Sequence, residues 1–461
     1  MSSILSVVSA VFWGVLVLSV LVFVHEGGHY LAARAFHVRV TEFFLGMPCR
    51  VRLSHKSEKY GTEVGVTPIL LGGYTRICGM EGDDDPLLAP ALGSVMRRGR
   101  ASAEEVADDI GCTPDKAVSL LDTLCDWASV RQDQGPEGLS GKERDDLPLV
   151  YETLRRDANL LTEYDRGHDF SSGNVTEAGA PCESDVSDDE LLARERLRTY
   201  LGAGFWKRIV MLAAGPLVNL ALAVLIIMAG LSIQGVDVMV DSSQLGGVTE
   251  GSYAEAAGLE AGDVITSVNG TSISTWDDLV AAIGTYLDSG TDFDLTYERD
   301  GMEHATSVDL PDGQTVDLLG ISASTTTYHP TIVESAEYAW NYAAFYASYV
   351  VKLIVPTQTM GVLNQSSSIV GISVMASEAA SAGAFELVLF CAVISMSLGF
   401  MNLLPIPPLD GGKMLVEIIQ ALMRRQLSMR VQTIIGYAGL AFFLFVFVIV
   451  LKNDIIRFVI G

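Results

Sequence analysis

Val17-Leu18-Ser19-Val20-Leu21-Val22-Phe23-Val24-His25-Glu26-Gly27-Gly28-His29 joins a nearly uniform apolar run to a cluster of ionisable groups. Residues four apart on a helix share a face, so His25 and His29 stand together, with Glu26 one step round. Two imidazoles so placed can bind one zinc ion, and a neighbouring carboxylate can deprotonate water. Ionisable groups at the end of a membrane helix are costly, and they persist mainly where they have a task. The competing reading is a helix that reaches the membrane surface and turns polar.

Outward from this stretch, four apolar segments meet the length of a membrane span: about Leu5–Phe36, Ile209–Ile233, Ala384–Leu404 and Ile434–Leu451. No Lys or Arg precedes Arg34, so the first lacks the basic start of a signal peptide and reads as a retained helix. The net charge is -26, but Lys and Arg gather after the first span, before the second, and between the third and fourth. The stretch between spans two and three holds only Arg299 and Lys352. By the positive-inside rule, the first and third connections face the cytoplasm and the second lies outside. Five of the six cysteines (Cys49, Cys78, Cys112, Cys125, Cys182) then fall on the reducing side, with Cys391 in span three, so no disulfide framework is expected.

Val38–Leu53 and Thr62–Ile77 are strand-like. Composition then shifts: residues 82–201 carry 27 Asp or Glu against 13 Lys or Arg. Within them, Ala103–Ile110 and Lys116–Ala128 have helical period around Gly111-Cys112-Thr113-Pro114, with Thr113 as N-cap and Pro114 as first helical residue. The spacing suits a helix-turn-helix or winged-helix core. However, Lys116 is the only basic residue of the second helix, against Asp115, Asp122 and Asp126, which favours a protein-interaction or gating module over nucleic-acid binding, with an inert solvated insertion as the alternative. Phe170–Asp189 reads as a flexible linker. Asn269-Gly270 signals a hairpin in a small α/β module. Ser335–Val355 suits the membrane interface.

A zinc enzyme needs a third ligand and an open position. Asn402-Leu403-Leu404-Pro405-Ile406-Pro407-Pro408-Leu409-Asp410-Gly411-Gly412 places a carboxylate after an irregular stretch at the end of span three. Such backbone is tolerated at membrane depth where protein buries it or water reaches it; alone, the stretch equally suits a turn leaving the membrane.

Together, the HExxH at His25, Glu26 and His29 and the NxxPxPxLDG at Asn402, Pro405, Pro407, Leu409, Asp410 and Gly411 resemble the site-2 protease family. Ala214-Gly215-Pro216 with Asn219, and Gly72-Gly73-Tyr74 with Gly79, resemble two further motifs of that family. The hairpin turn departs from the family pattern, reading Leu45-Gly46-Met47-Pro48. The resemblance implies a multi-pass α-helical protein of the cell membrane with four transmembrane helices. It adds a membrane-associated β-hairpin or sheet and one extracytoplasmic PDZ domain; it does not cover the acidic helical insertion, which the charge asymmetry places in the cytoplasm.

The expected segments are 1–37 (first transmembrane helix), 38–81 (β-region), 82–201 (insertion), 207–234 (second transmembrane helix) and 244–322 (PDZ domain). They continue with 335–355 (interfacial helix), 384–412 (third transmembrane helix) and 431–452 (fourth). The resemblance further implies Zn2+ held by His25, His29 and Asp410, with Glu26 as general base. Asn402, Pro405, Pro407, Gly46, Gly72 and Gly73 would contact substrate; Gly246, Gly247 and Val248 would either receive a peptide terminus or simply form a strand turn. The expected partners are the lipid bilayer, single-pass membrane protein substrates (anti-sigma factors or signal-peptide remnants) and a cytoplasmic protein at the insertion. A catalytically silent PDZ scaffold is the alternative; a transporter is disfavoured by the lack of a hydropathy repeat.

Overall fold

A computed structural model describes residues 2–80, 82, 85–133, 149–171, 174–182, 185–311, 313–353, 355–425 and 427–456. The chain divides into two compact units, residues 228–338 and the remainder.

The larger unit opens with helix α1, Ser2–Ala35. It leads into strands β1 (Val40–Leu45), β2 (Leu53–Lys56), β3 (Glu63–Val66) and β4 (Gly73–Ile77). They form one sheet in the order β2-β3-β1-β4, with β1 parallel to β3 and antiparallel to β4. The strand-like stretch Thr62–Ile77 thus breaks into β3 and β4, while Val38–Leu53 holds β1 and reaches only the first residue of β2. Gly46, at φ 99°, and Pro48 end β1, because a positive φ and a missing N–H both stop a ladder. Phe43 stacks on Phe23 at 4.5 Å and on Tyr30 at 5.0 Å, fixing β1 against α1.

The insertion is a compact body with its own core. Helix α2 (Leu88–Arg98), strand β5 (Arg100–Ser102), helices α3 (Ala103–Ile110) and α4 (Pro114–Asp126), strands β6 (Val130–Gln132) and β7 (Val150–Thr153) and helix α5 (Asp188–Arg196) follow in turn. The strands pair antiparallel as β5-β7-β6. Leu92, Val95, Val106, Leu121, Leu124 and Leu191 bury together. Ser102 and Glu105 form a reciprocal capping box at α3, and Thr113 caps α4 ahead of Pro114. The linker-like stretch is partly ordered: Thr176 pairs with Arg156, and Cys182 is buried in the same core. Residues 172–173 and 183–184 of that stretch lie outside the described residues, as do residues 134–148 between β6 and β7.

A buried charge cluster joins this body to α1 and the sheet. The Arg39 guanidinium, fully buried four residues past α1, donates to both oxygens of Asp165 (2.7 and 2.6 Å) and to Glu195 (2.5 Å). It also donates to the carbonyls of Trp127 and Ala128. Arg156 donates to Glu195 at 2.8 Å, and Arg198 approaches Asp165 at 3.3 Å. Burial opposes ionisation of Glu195, yet Arg156 and Arg39 outweigh it and hold its carboxyl well below the usual range. Arg39 and Arg198 counted in the sequence as membrane-surface cations; here they serve protein carboxylates.

Helix α6, Phe205–Gln234, then enters the second unit. There β8 (Val236–Met239) pairs with β15 (Thr325–Tyr328), and β9 (Leu245–Val248) with β14 (Ile321–Ala323). Between them lie helix α7 (Tyr253–Ala256), strands β10 (Val264–Val268) and β11 (Thr271–Ser272), helix α8 (Trp276–Ser289) and strands β12 (Phe293–Arg299) and β13 (Met302–Val308). The sheet order is β11-β10-β12-β13. Asn269 and Gly270 form the two-residue turn between β10 and β11, both at positive φ. Leu245, Ile265, Leu279, Ile283, Phe293 and Leu295 make the core.

Helices α9 (Ile332–Val351), α10 (Pro356–Gln365), α11 (Ile369–Ala382), α12 (Ala384–Asn402), α13 (Asp410–Met423) and α14 (Met429–Ile455) complete the chain. Among the described residues, four helical stretches are long and apolar enough to cross a membrane: Ile4–Ala35, Phe205–Gln234, Ala384–Asn402 and Arg430–Ile455. The shorter α11 packs on α1, where Gly14 leaves room for Ser373 and the hydroxyls of Ser9 and Ser377 meet at 2.7 Å. Asp454, buried in α14, accepts the N–H groups of Ser368 (2.5 Å) and Gly371 (3.1 Å) at the start of α11.

Candidate metal centre

Helical period puts His25 and His29 on one face of α1, and both rings are buried. Their Nε2 atoms lie 3.2 Å apart. Asp410, the first residue of α13, brings Oδ2 within 3.0 Å of His25 Nε2 and 3.3 Å of His29 Nε2. The three ligand atoms fall within 4.8 Å of one another. Residues 385 positions apart in sequence therefore meet at one point. Three donors, two nitrogen and one oxygen, suit zinc and leave a fourth tetrahedral position open.

The surrounding shell supports this arrangement. His29 Nδ1 donates to the Met211 carbonyl at 2.8 Å, which leaves the Nε2 lone pair facing its neighbours. Helix α6 passes very close. A Cβ on Gly215 would fall 2.4 Å from His29 Nε2 and 2.9 Å from His25 Nε2, and one on Gly28 would fall 2.5 Å from the Ala214 carbonyl. These two glycines let the helices approach at the face that carries His25 and His29. Behind Asp410, Gly411 and Gly412 sit where a Cβ would reach 2.3 Å from the Leu403 carbonyl and from Pro407 N. Further along α13, buried Glu417 accepts from Tyr200 Oη (3.1 Å) and pairs with Arg208 (3.0 Å). That contact ties the Asp410 helix to α6 and to the end of the insertion.

Glu26 faces the sheet. Its carbonyl accepts from Thr75 Oγ1 at 3.0 Å. A Cβ on Gly73 would lie 3.7 Å from Glu26 Cγ, and one on Gly72 would lie 3.7 Å from Val22. The Gly46 N–H donates to the Gly72 carbonyl at 2.7 Å. Gly46, Gly72 and Gly73 thus meet at one end of the sheet, with Gly73 beside Glu26. Asn402 closes α12, and Pro405 and Pro407 lie in the segment between it and Asp410; none is among the three clustered groups. Gly246, Gly247 and Val248 lie on β9 in the other unit.

Several supporting residues escaped sequence reading. Gly215 was visible as part of a motif, but its contact with both imidazoles was not. Glu417 had a signal in retrospect: it stands seven residues, two turns, after Asp410. Arg39 had none.

Two histidines and an aspartate gathered at one point, two of them on an apolar helix, make a candidate metal centre. A family model, Peptidase family M50, matches residues 13–446, and the chain belongs to that family. It is 29% identical over 453 residues to the zinc metalloprotease RasP of Shouchella clausii, covering 95% of this chain and 97% of that protein. It is 29% identical over 455 residues to the regulator of sigma-W protease RasP of Bacillus subtilis, covering 96% and 97%. A putative zinc metalloprotease of Lactococcus lactis, LL2128, is 27% identical over 443 residues, covering 96% and 97%.

Proposed function

We propose that this metalloendopeptidase uses Zn2+ to cut single-pass membrane proteins within or beside their membrane spans. The observation that carries the reading is the convergence of His25, His29 and Asp410, with Glu26 adjacent on the same helix. His25, His29 and Asp410 hold the zinc. Bound zinc supplies Lewis acidity to a scissile carbonyl and to water. Glu26 takes a proton from the attacking water as its oxygen bonds to the carbonyl carbon. Glu26 then returns that proton to the departing amide nitrogen as the C–N bond breaks.

A helical peptide bond is shielded, so substrate must unwind before attack. β4 ends its sheet beside Glu26 and offers an edge on which an unwound segment can pair. The glycines at positions 46, 72 and 73 keep that approach clear, and Asn402, with Pro405 and Pro407 behind it, contacts the substrate backbone. The unit holding β9 acts as an extracytoplasmic PDZ domain, with Gly246, Gly247 and Val248 receiving a peptide terminus. It screens out substrates not yet trimmed outside. The insertion, residues 82–201, lies in the cytoplasm as a winged-helix-like protein-interaction module. The helix-strand-helix-helix-strand-strand order of residues 88–153 supports that assignment. The relative in Bacillus subtilis is named for sigma-W, which favours anti-sigma factors as the substrate class.

Co-expression with candidate single-pass proteins tests the function. Wild type yields a shortened product and Glu26→Gln does not. Equal processing by both removes Glu26 from the mechanism.

A further inference from the structure

β4 has a neighbouring strand on one side only among the described residues. Its two ends meet different surroundings. At Gly73 it lies beside Glu26. From Thr75 to Ile77 it forms one wall of a groove whose other wall is α4 of the insertion, through Asp122 and Asp126, with Met80 between them in sequence. Asp122 and Asp126 are four apart and share a helix face. Both are held in place: Asp122 accepts from Tyr151 Oη at 2.9 Å, and Asp126 accepts the Gly79 N–H at 2.9 Å. Arg76, the cation of the groove, approaches Glu42 on β1 at 3.7 Å. Two carboxylates therefore face a strand edge that continues directly from the candidate catalytic glutamate.

We propose that this groove is a second substrate subsite, which binds a Lys or Arg in the flank of the substrate's membrane span. The proposal rests on the reading that substrate pairs with β4 and that the insertion is cytoplasmic. Two features identify the occupant. The groove is continuous with the strand edge beside Glu26. Its charge also complements the flanks of membrane spans, which are rich in Lys and Arg on the cytoplasmic side. Extended chain rises about 3.3 Å per residue, so Gly73 to Ile77 spans about 13 Å. The basic residue therefore stands about four to six positions from the scissile bond.

The test uses the full chain reconstituted in liposomes with a single-pass substrate. The substrate carries one Lys, one Glu or neither, moved through the flank from the second to the eighth position. Wild type should cut the Lys substrate about fivefold more efficiently in kcat/KM than the Glu substrate, the size of one partly exposed charge pair. The difference should lie mainly in KM and peak at the fourth to sixth positions. Asp122→Lys should reverse the preference while cutting the neutral-flank substrate, which shows that the variant is folded. A preference that Asp122→Lys leaves unchanged, or that is flat along the flank, overturns the subsite alone. Failure of wild type to cut any of the three overturns the protease reading and the subsite with it.

Discussion

Replacing Arg39 with Met takes the cation out of the buried cluster that holds the insertion to α1 and the sheet. The side chain is fully buried, and its loss strips Asp165 of a two-point partner and Glu195 of its shortest one. The Trp127 and Ala128 carbonyls each lose a donor as well. Removing one partner of a buried ion pair costs about 3–5 kcal/mol, because the remaining charge stays buried without compensation. At about 2–4 °C per kcal/mol for a body of this size, the melting temperature should fall by roughly 6–20 °C.

The cost should depend on pH with a definite sign. Glu195 and Asp165 both sit below their ordinary values in the folded protein, held there by arginines against the effect of burial. Their stabilisation is therefore full above about pH 5 and fades as the pH falls through and below about 4. The gap between wild type and Arg39→Met should narrow over that window. Thermal unfolding of the detergent-solubilised protein at about pH 7 and about pH 4 reads the effect. A drop at neutral pH below about 1 kcal/mol, or one equal at both pH values, would refute the reasoning.

Gly215→Ala should lower zinc content and cleavage at least about tenfold, since its new methyl meets both imidazoles in a packed interior; metal analysis reads this, and wild-type zinc would show that the helices part freely. Cysteine labelling of intact cells should reach Ser289→Cys but not Ser140→Cys, a position outside the described residues; the reverse pattern inverts the assigned topology. Deleting residues 244–322 should increase cutting of untrimmed substrate, and unchanged selectivity would remove the sieving role.

What was legible in the sequence was local or marked by spacing. HExxH announces itself because four residues equal one helical turn, and the four spans because a bilayer imposes a length. Asn269-Gly270 and Thr113-Pro114 act through their own backbone, so their turn and cap appear as expected. Helix α11 was not legible: its 14 residues fall short of a span, and its Ser and Ala content reads as neither core nor surface. The order β2-β3-β1-β4 puts β3 beside β1 in parallel, a pairing between strands that no local turn connects. The extent of the insertion's core was also hidden inside residues 82–201. Its core takes in Leu88 and Leu191, far outside the two helices whose period gave it away. Arg39 shows why such features escape a reading along the chain. Its partners lie 126 and 156 residues away, so it looks like any cation that follows a membrane helix.

The central claim is that His25, His29 and Asp410 hold the zinc while Glu26 moves protons without holding it. Zinc stoichiometry and substrate cleavage, measured side by side on purified Glu26→Gln and Asp410→Ala, address it most directly. The account predicts wild-type zinc without cleavage in Glu26→Gln, and loss of both in Asp410→Ala. Zinc bound to Asp410→Ala at wild-type stoichiometry and affinity would contradict the ligand assignment, and cleavage by Glu26→Gln at the wild-type rate would contradict the role of Glu26.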